Sequence, residues 1–454
     1  MSANARIIRG RVLSFRDDPA IAGASAYSLI EDGAVVLSTG MIAEVGEAGD
    51  VLPRAPKDAV VDDYAGCLIM PGFIDAHVHY SQTQVIGSYG AQLLDWLQNY
   101  TFVEEQKFVD PAHSARVADF FLDELFRSGT TTAMVYCTVH PQSVEAFFAA
   151  AEARGARMIA GKVMMDRHAP PGLMDTAQRG YDESKALIEH WRGRGRLGYA
   201  ITPRFAVTST EAQLKAAGAL AREFPDCYVQ THADENKAEI ALVAELYPEA
   251  KSYIDVYARA GLTGPRSVFG HCIHLLDSEV GELVASRSVA AFCPTSNLFL
   301  GSGLFDEARL AAAGVRIALA TDVGGGTSYS MLHTAAEGYK VLQLNRQSWP
   351  ARHAFYRMTL GNARALSLDD RIGSIEAGKE ADLVVLDPRA TPALAHRLET
   401  AGDDLDVELF ALMMMGDDRA VRQTYVAGAP MKFDLTGQRV TSPPRERQPF
   451  MPPA

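Results

Sequence analysis

The feature that most constrains the fold of this chain is a repeated alternation of apolar β-strands and amphipathic helices through its middle. Eight strand candidates occupy roughly 275 residues, which is the scale of a (β/α)₈ barrel. Apolar residues at three- and four-residue steps, as in residues 115–126, indicate the helices, and Thr210 and Gln213 have the spacing of a capping box. The strand candidates are residues 68–78, 131–135, 158–163, 198–202, 228–232, 268–273, 289–293 and 316–322.

The two ends of the chain are rich in short strands and turns. Neither end carries enough strand for an independent core, so we expect one composite β-sandwich domain from residues 1–67 and 378–441. The middle, residues 68–377, is then the catalytic barrel, and residues 442–454, rich in Pro and Arg, are a poorly packed tail. The alternative is a doubly wound open sheet. It would need another explanation for polar residues at strand ends on both sides of the sequence midpoint.

Composition excludes several classes of function. The 454 residues are 48 % hydrophobic and 22 % charged, as in a soluble globular protein. A net charge of −13 disfavours a nucleic-acid partner. The N-terminus lacks the apolar stretch of a signal peptide, and no apolar run is long enough for a membrane span. Five scattered cysteines fit a reducing compartment, so we expect a cytoplasmic protein.

Two histidines end the first strand candidate, in the motif Pro71-Gly-Phe-Ile-Asp-Ala-His-Val-His79. Side chains two residues apart on a strand point to the same face and lie about 7 Å apart along the backbone. His77 and His79 can therefore converge on one cation. By itself the pair also fits two histidines that are exposed or bonded to protein groups.

Further polar residues follow later strand candidates. His232 and Glu235 follow the fifth, His271 lies on the sixth and Asp322 ends the eighth. The carboxyl ends of barrel strands form a ring, so these residues would meet at one mouth. Three imidazoles and a carboxylate suit Zn²⁺ with a place for water, although such a set also accepts other divalent metals.

Each of these residues also has a structural explanation. His232 fits a core histidine bonded to the backbone, and Glu235 fits the acidic start of a helix. Asp322 fits a turn residue, and His271 could only order the loop at His274. Their joint placement at strands one, five, six and eight favours the metal site.

The motifs resemble the amidohydrolase superfamily and, within it, the guanine deaminase family, from about residue 60 to residue 387. The superfamily pattern comprises the motif ending at His79, His232-x-x-Glu235, His271, Thr321-Asp322 and Gly373-Ser-Ile-Glu-Ala-Gly-Lys-Glu-Ala-Asp-Leu-Val-Val-Leu386. The narrower pattern comprises Tyr80-Ser-Gln82-Thr, Leu93-Leu-Asp-Trp-Leu-Gln-Asn-Tyr-Thr-Phe102, Thr202-Pro-Arg204-Phe205 and Phe292-Cys-Pro-Thr-Ser-Asn297-Leu-Phe-Leu-Gly-Ser-Gly303.

The resemblance implies roles for individual residues. One zinc ion per chain, with Fe²⁺ less favoured, would be held by His77, His79, His232 and Asp322. The catalytic residues would be Glu235 as proton shuttle, His271 as the group that orients the attacking hydroxide, and Asp322 as its base. Lys162, on the third strand, is then a packing or salt-bridge residue rather than a metal bridge.

The substrate implied is guanine, deaminated to xanthine and ammonia by a homodimeric enzyme. An arginine fork matches O6 and N7 of guanine, which suits Arg204, and the Gln82 amide could bind a neighbouring edge. Trp96 and Phe205 offer apolar faces, and Glu235 and Asp322 would also contact the base. A structural salt bridge is the alternative role for Arg204.

One residue departs from the family pattern, since Asp234 stands beside Glu235 where an uncharged residue is expected. If the strand continues, alternation turns Asp234 away from the metal; otherwise it could perturb the acid.

Three other functions remain to be weighed. In the most similar alternative, a protein with the same fold and metal acts on another purine or on a triazine, as a deaminase or a chlorohydrolase. A noncatalytic scaffold would be expected to lose ligands, whereas this chain retains them all. Cytidine-type nucleic-acid deaminases need His-x-Glu with Pro-Cys-x-x-Cys, and neither pattern occurs here.

Overall fold

The structure is a computed structural model that describes residues 5–90 and 92–432. The predicted tail, residues 442–454, and residues 433–441 of the predicted terminal domain lie outside the described residues. The strands are β1 (Arg6–Phe15), β2 (Tyr27–Ser38), β3 (Met41–Glu47), β4 (Val60–Pro71), β5 (Phe73–His79), β6 (Thr130–Tyr136), β7 (Arg157–Gly161), β8 (Val163–Met164), β9 (Gly198–Pro203), β10 (Tyr228–Ala233), β11 (Ser267–His271), β12 (Val289–Phe292), β13 (Arg316–Leu319), β14 (Leu383–Leu386), β15 (Val421–Val426) and β16 (Ala429–Pro430).

Most α-helices lie between the strands of the middle segment. They are α1 (Pro19–Ala22), α2 (Ala48–Val51), α3 (Leu93–Trp96), α4 (Phe102–Glu105), α5 (Pro111–Arg127), α6 (Pro141–Ala153), α7 (Ala177–Trp191), α8 (Glu211–Glu223), α9 (Lys237–Leu246), α10 (Tyr253–Ala260), α11 (Asp277–Ser286), α12 (Pro294–Phe299), α13 (Glu307–Ala313), α14 (Met331–Leu344), α15 (Ala351–Tyr356), α16 (Asn362–Ala365), α17 (Pro392–Arg397) and α18 (Leu405–Met415). No helix of the described residues combines the length and apolarity needed to cross a membrane.

The middle segment forms the predicted (β/α)₈ barrel. Its parallel strands follow the order β5-β6-β7-β9-β10-β11-β12-β13, and β8 extends the third strand beside β9. The first strand meets the segment that directly follows the last strand through two backbone hydrogen bonds: the Asp322 N–H donates to the His77 carbonyl at 2.9 Å, and the His79 N–H donates to the Val323 carbonyl at 2.7 Å. These bonds join the two ends of the sheet, so the barrel is confirmed and the open sheet is wrong.

The first and the eighth barrel strands differ most from their predicted bounds. The first begins at Phe73, because Leu68–Met70 belongs to β4 and pairs antiparallel with β14 in the other sheet. The apolar run continues through Pro71 and Gly72, so the sequence pattern gave little sign that one strand ends and another begins. The eighth strand ends at Leu319, so Asp322 lies in the loop that follows.

The two chain termini together form one separate seven-stranded sheet, where a composite β-sandwich domain was predicted. Its strand order is β16-β15-β14-β4-β1-β2-β3, with β1 and β4 parallel and the other pairs antiparallel. The sheet curls over a core of its own: the Ile42 N–H, on one edge strand, donates to the Lys379 carbonyl at 2.8 Å, and the phenol oxygens of Tyr64 and Tyr425 lie 2.8 Å apart. The exact domain boundaries stay a prediction.

Local capping explains where the helices begin. The predicted helix over residues 115–126 lies within α5, whose first turn is capped by the Asp110 side chain. Thr210 caps α8 by accepting from the Gln213 N–H at 3.2 Å. The Gln213 side chain donates instead to Asp175, so only one arm of the predicted capping box forms.

Candidate active site

Four predicted metal ligands meet at the carboxyl end of the barrel. Ligand atoms of His77, His79, His232 and Asp322 all lie within 4.8 Å of one another. Oδ1 of Asp322 lies 3.3 Å from Nε2 of both His77 and His79, and Nε2 of His232 lies 3.3 Å from Nε2 of His79. Residues from β5, β10 and the loop after β13 therefore share one small volume.

The chemistry of this cluster fits a divalent metal. Both ring nitrogens of His77 and Nδ1 of His79 are buried and have no hydrogen-bond partner among the described residues. Buried polar atoms without partners are unfavourable, whereas imidazole nitrogens directed at a cation are satisfied. Burial lowers the pKa of His79 to about 3 and that of His232 well below its usual value, so both rings are neutral as metal ligands must be.

Backbone and ring contacts position the histidines. Nδ1 of His232 lies 2.7 Å from the Arg204 carbonyl oxygen, which leaves Nε2 facing the cluster. The Tyr136 ring stacks on His79 at 4.4 Å between centroids. A Cβ atom at Gly270 on β11 would lie 2.6 Å from Cε1 of His77, so only glycine leaves room for that imidazole.

Asp75 belongs to the first motif, and its role is visible only in the structure. Its buried carboxylate accepts hydrogen bonds from the backbone N–H groups of His77 and Thr321, at 3.2 and 3.0 Å, and from the Thr321 hydroxyl. Asp75 therefore ties the start of the loop that carries Asp322 to the strand that carries His77 and His79. Asp75 is the only acidic residue of β5, and that was the signal for this contact.

Glu235 and His271 lie beside the metal cluster. Oε2 of Glu235 lies 3.3 Å from Nε2 of His271, and the Ser302 hydroxyl donates to Oε1 of Glu235 at 2.9 Å. Burial, followed by the charge of Asp322, raises the pKa of Glu235 above its usual range. A carboxyl that keeps its proton near neutral pH can act as a general acid.

His271 is held from its other side. Nδ1 of His271 lies 2.9 Å from Oδ1 of Asn297, so with this amide orientation the ring N–H donates to the asparagine. Nε2 lies 3.8 Å from Oδ2 of Asp322. The two oxygens of Asp322 thus have different surroundings, because Oδ1 faces His77 and His79 and Oδ2 faces His271.

A pocket opens directly onto these groups. The structure places every predicted substrate-binding residue on its wall: Gln82, Trp96, Arg204, Phe205, Glu235 and Asp322. Leu93 and Leu97 complete one side, where a π-helical segment (Leu97–Thr101) joins α3 to α4. Such π-helical turns are frequent at functional sites.

Sequence reasoning missed Glu105, which lies behind the pocket. Its Oε2 accepts from Nη1 of Arg204 at 2.7 Å, and its Oε1 accepts from Nε2 of Gln82 at 3.1 Å. Arg204 therefore forms the salt bridge that was considered as its alternative role, and it also lines the pocket. Glu105 follows the motif that ends at Phe102 by three residues, which places both on one face of α4.

Asp234 and Lys162 lie away from the pocket. β10 ends at Ala233, so strand alternation does not apply to Asp234; its φ of 53° turns its buried side chain into a second cavity with His274 and Glu279. Burial and the charges of Glu279 and Glu239 raise the pKa of Asp234 well above its usual value. Lys162 pairs with Asp175, as expected for a salt-bridge residue.

A closed (β/α)₈ barrel with three histidines and an aspartate gathered at its strand ends defines a class of metal-dependent hydrolases. The amidohydrolase family model matches residues 68–431, and the chain belongs to this family. The chain is 49 % identical over 405 residues to guanine deaminase of Escherichia coli strain K12, covering 89 % of this chain and 92 % of that protein.

Solved structures agree with this relationship. The chain matches E. coli guanine deaminase with a TM-score of 0.92 at 47 % identity, over 94 % of this chain and 99 % of that one. It matches guanine deaminase from C. acetobutylicum with bound guanine in the active site with a TM-score of 0.84 at 26 % identity, over 94 % of this chain and all (100 %) of that one.

Proposed function

We propose that this protein is a guanine deaminase, which hydrolyses guanine to xanthine and ammonia. The 49 % identity to the E. coli enzyme over most of both chains supports this function. The observation in the site that carries it is the presence of Arg204 and Gln82, suited to a purine edge, and of Glu235 and Asp322, suited to proton transfer, in one pocket.

The metal proposed for the site is one Zn²⁺ per chain, held by His77, His79, His232 and Asp322. Neutral imidazoles and a carboxylate are typical zinc ligands, and Fe²⁺ is the less favoured alternative. When bound, the metal supplies Lewis-acid activation of a water molecule near neutral pH. Metal analysis of the purified protein by mass spectrometry tests the identity of the ion.

Recognition of the base is assigned to four side chains. The Arg204 guanidinium donates to the O6 and N7 edge of guanine, and the Gln82 amide donates to a neighbouring acceptor. Trp96 and Phe205 cover the apolar faces of the ring. This arrangement directs C2 of guanine toward Glu235 and Asp322, which line the same pocket.

Proton transfers are assigned to the groups around C2. As water adds to C2, Asp322 accepts a proton from it and Glu235 donates one to N3, while His271 stabilises the charge that develops on the new oxygen. Asp322 then protonates the amino group, the C2–N bond breaks, and ammonia leaves. The C2 hydroxyl proton returns to Glu235 as the carbonyl of xanthine forms, so both carboxyl groups regain their starting states.

A spectroscopic assay of the purified protein with guanine tests this function. Formation of xanthine and ammonia that a chelator abolishes and added Zn²⁺ restores is the expected result. Adenine and an amino- or chloro-substituted triazine serve as comparison substrates. Faster turnover of either comparison substrate than of guanine would favour the alternative, another ring deaminase or a chlorohydrolase.

Two further proposals concern the protein in the cell. The resemblance to guanine deaminases supports a homodimer, which analytical ultracentrifugation tests. Five cysteines that are all free and buried support a reducing, cytoplasmic location. Fractionation of cells that express a tagged protein tests the location.

A further inference from the structure

Glu105 contacts both residues assigned to recognise the base. Its side chain is fully buried (0 % exposed) and that of Arg204 is 3 % exposed, with 2.7 Å between Oε2 and Nη1. Its other oxygen accepts from the Gln82 amide at 3.1 Å. Glu105 lies behind these side chains and is not among the described residues that line the pocket, so it acts through Arg204 and Gln82.

One short helix fixes the orientation of Arg204. Phe102 and Glu105 are three residues apart on α4, and Cζ of Arg204 lies 5.4 Å from the centroid of the Phe102 ring. The Phe102 ring contacts one face of the guanidinium, and the Glu105 carboxylate accepts a hydrogen bond from one edge of the guanidinium. No other described residue accepts a hydrogen bond from the Arg204 guanidinium, and Arg204 lines the pocket, so its remaining N–H groups are available to a ligand.

The Gln82 amide is oriented at both ends. Its Nε2 donates to Glu105, and its Oε1 accepts from the Gly324 N–H at 3.3 Å. A primary amide has two N–H donors, so one donor remains for a ligand and the carbonyl oxygen is already in use. Gln82 therefore presents a donor to the pocket, and Glu105 is the acceptor that enforces this choice.

Glu105 also balances charge. Arg204 keeps its positive charge in proteins, and a buried guanidinium without a partner attracts anions strongly. With the Glu105 carboxylate in place the pair is neutral overall. Guanine is a neutral base near neutral pH, whereas its deamination product, xanthine, is a stronger acid and becomes anionic at mildly alkaline pH.

We propose that Glu105 is a positioning residue that determines specificity: it orients Arg204 and Gln82 and makes the pocket prefer a neutral purine over an anionic one. The anionic form of the product is then a weak inhibitor. The inference rests on the proposed function, because it takes guanine as the substrate and xanthine as the product.

Binding of two purines that are not turned over tests the proposal. Dissociation constants of xanthine, largely anionic, and hypoxanthine, largely neutral, are measured by calorimetry at mildly alkaline pH for the metal-loaded wild type and for Glu105→Gln. Because the variant lacks the charged hydrogen-bond acceptor, the dissociation constant of hypoxanthine should rise about tenfold. Xanthine should bind as tightly as before or tighter, so the preference for the neutral ligand should fall about tenfold or more.

Steady-state kinetics give an independent readout. In Glu105→Gln, the KM for guanine should rise about tenfold while kcat changes by less than about threefold, because the proton-transfer groups are untouched. Glu104→Gln is the matched control. It removes the same charge from the neighbouring residue, whose partner is Lys107. This control should leave the dissociation constants of xanthine and hypoxanthine at the wild-type values.

Equal losses of xanthine and hypoxanthine binding, together with an equal loss of kcat, would show a merely structural role and overturn the proposal. If Glu105→Gln fails to fold, the wild-type protein still tests the proposal. Its affinity for xanthine relative to that for hypoxanthine must fall as the pH rises and xanthine ionises. Hypoxanthine corrects for titration of the other charged or titratable groups that face the pocket, namely His79, Arg204, His232, Glu235, His271 and Asp322. A wild type that binds both purines but does not deaminate guanine would refute the proposed function alone.

Discussion

Nε2 of His271 lies 3.3 Å from Oε2 of Glu235. Oδ2 of Asp322 lies 3.8 Å from the same nitrogen, so the imidazole stands between two carboxyl groups. Burial raises the pKa of Glu235, whereas the neighbouring imidazoles of His77 and His79 outweigh burial and lower the pKa of Asp322 well below its usual value. One carboxyl is therefore suited to give a proton and the other to accept one.

Replacing Glu235 by glutamine tests the proton donor. The amide keeps the size of the side chain but cannot transfer a proton, so kcat should fall by about 10²–10⁴. Bound metal should stay at the wild-type level, because Glu235 is not among the four clustered ligands. Steady-state assays and metal analysis measure the two quantities. Glu245→Gln, at an exposed position of α9, is the matched control, and near-normal turnover in Glu235→Gln would refute the role.

Replacing Arg204 by lysine tests recognition of the base. Lysine keeps a positive charge beside Glu105 but loses the planar fork, so the pair of hydrogen bonds to the purine edge cannot form. The value of kcat/KM for guanine should fall by about tenfold to a hundredfold, which corresponds to the contribution of one bidentate contact to a base. Discrimination between guanine and adenine should fall with it. Undiminished discrimination would mean that Arg204 serves only as the salt-bridge partner of Glu105.

Much of the site could be predicted because its residues follow strand ends. A barrel brings the carboxyl ends of its strands together, so His79, His232, His271 and Asp322 could be placed near one another from apolar runs alone. Arg204 and Gln82 entered through resemblance to a family, since nothing in the local pattern distinguishes a pocket arginine from any other buried one.

The rest depends on contacts that sequence spacing does not encode. Glu105 and Gln82 are 23 residues apart, and Ser302 and Glu235 are 67 apart, on elements whose packing only the fold defines. The turn at Pro71 and Gly72 was missed for a different reason. Residues 67–71, at the end of the strand before it, and the whole strand after it are buried, so hydrophobicity stays continuous where the chain leaves one sheet for the other.

Adding one methyl group at Gly270 should disturb the metal site without replacing any of its ligands. The new Cβ of Gly270→Ala would lie 2.6 Å from Cε1 of His77, so the imidazole must move. Metal affinity should fall about tenfold to a hundredfold, as it does when other residues that contact and orient a metal ligand are replaced. Titration with a competing chelator measures this affinity.

Gly281→Ala is the matched control for this change, because no atom lies within 4 Å of its added Cβ. On an exposed helix the same change should stabilise the fold by about 0.5–1 kcal/mol and leave metal affinity unaltered. Wild-type metal affinity in Gly270→Ala would show that the barrel can accommodate the methyl group.

Glu380 joins the terminal sheet to the barrel, and its replacement by glutamine should make stability less dependent on pH. Its Oε2 accepts from Nε of Arg157 and from Nη1 of Arg196, both at 2.7 Å, and its side chain is 9 % exposed. Burial opposes the charge, but the two arginines outweigh it and lower the pKa of Glu380 below the usual 4.5. Because the folded pKa is the lower one, the ion pairs stabilise the fold above the unfolded pKa, and this contribution is lost as pH falls through the folded pKa.

Glu380→Gln should therefore lower the free energy of unfolding at neutral pH by about 1–3 kcal/mol, since Arg157 loses its charged partner in a buried setting. The difference from wild type should shrink as the pH falls below the usual carboxyl range, where the wild-type side chain is protonated too. Urea denaturation at neutral and acid pH measures both differences. Glu399→Gln, which alters an exposed pair with His396, should change stability by less than about 1 kcal/mol. A gap between Glu380→Gln and wild type that stays constant with pH would mean that packing, and not charge, accounts for the effect of this residue.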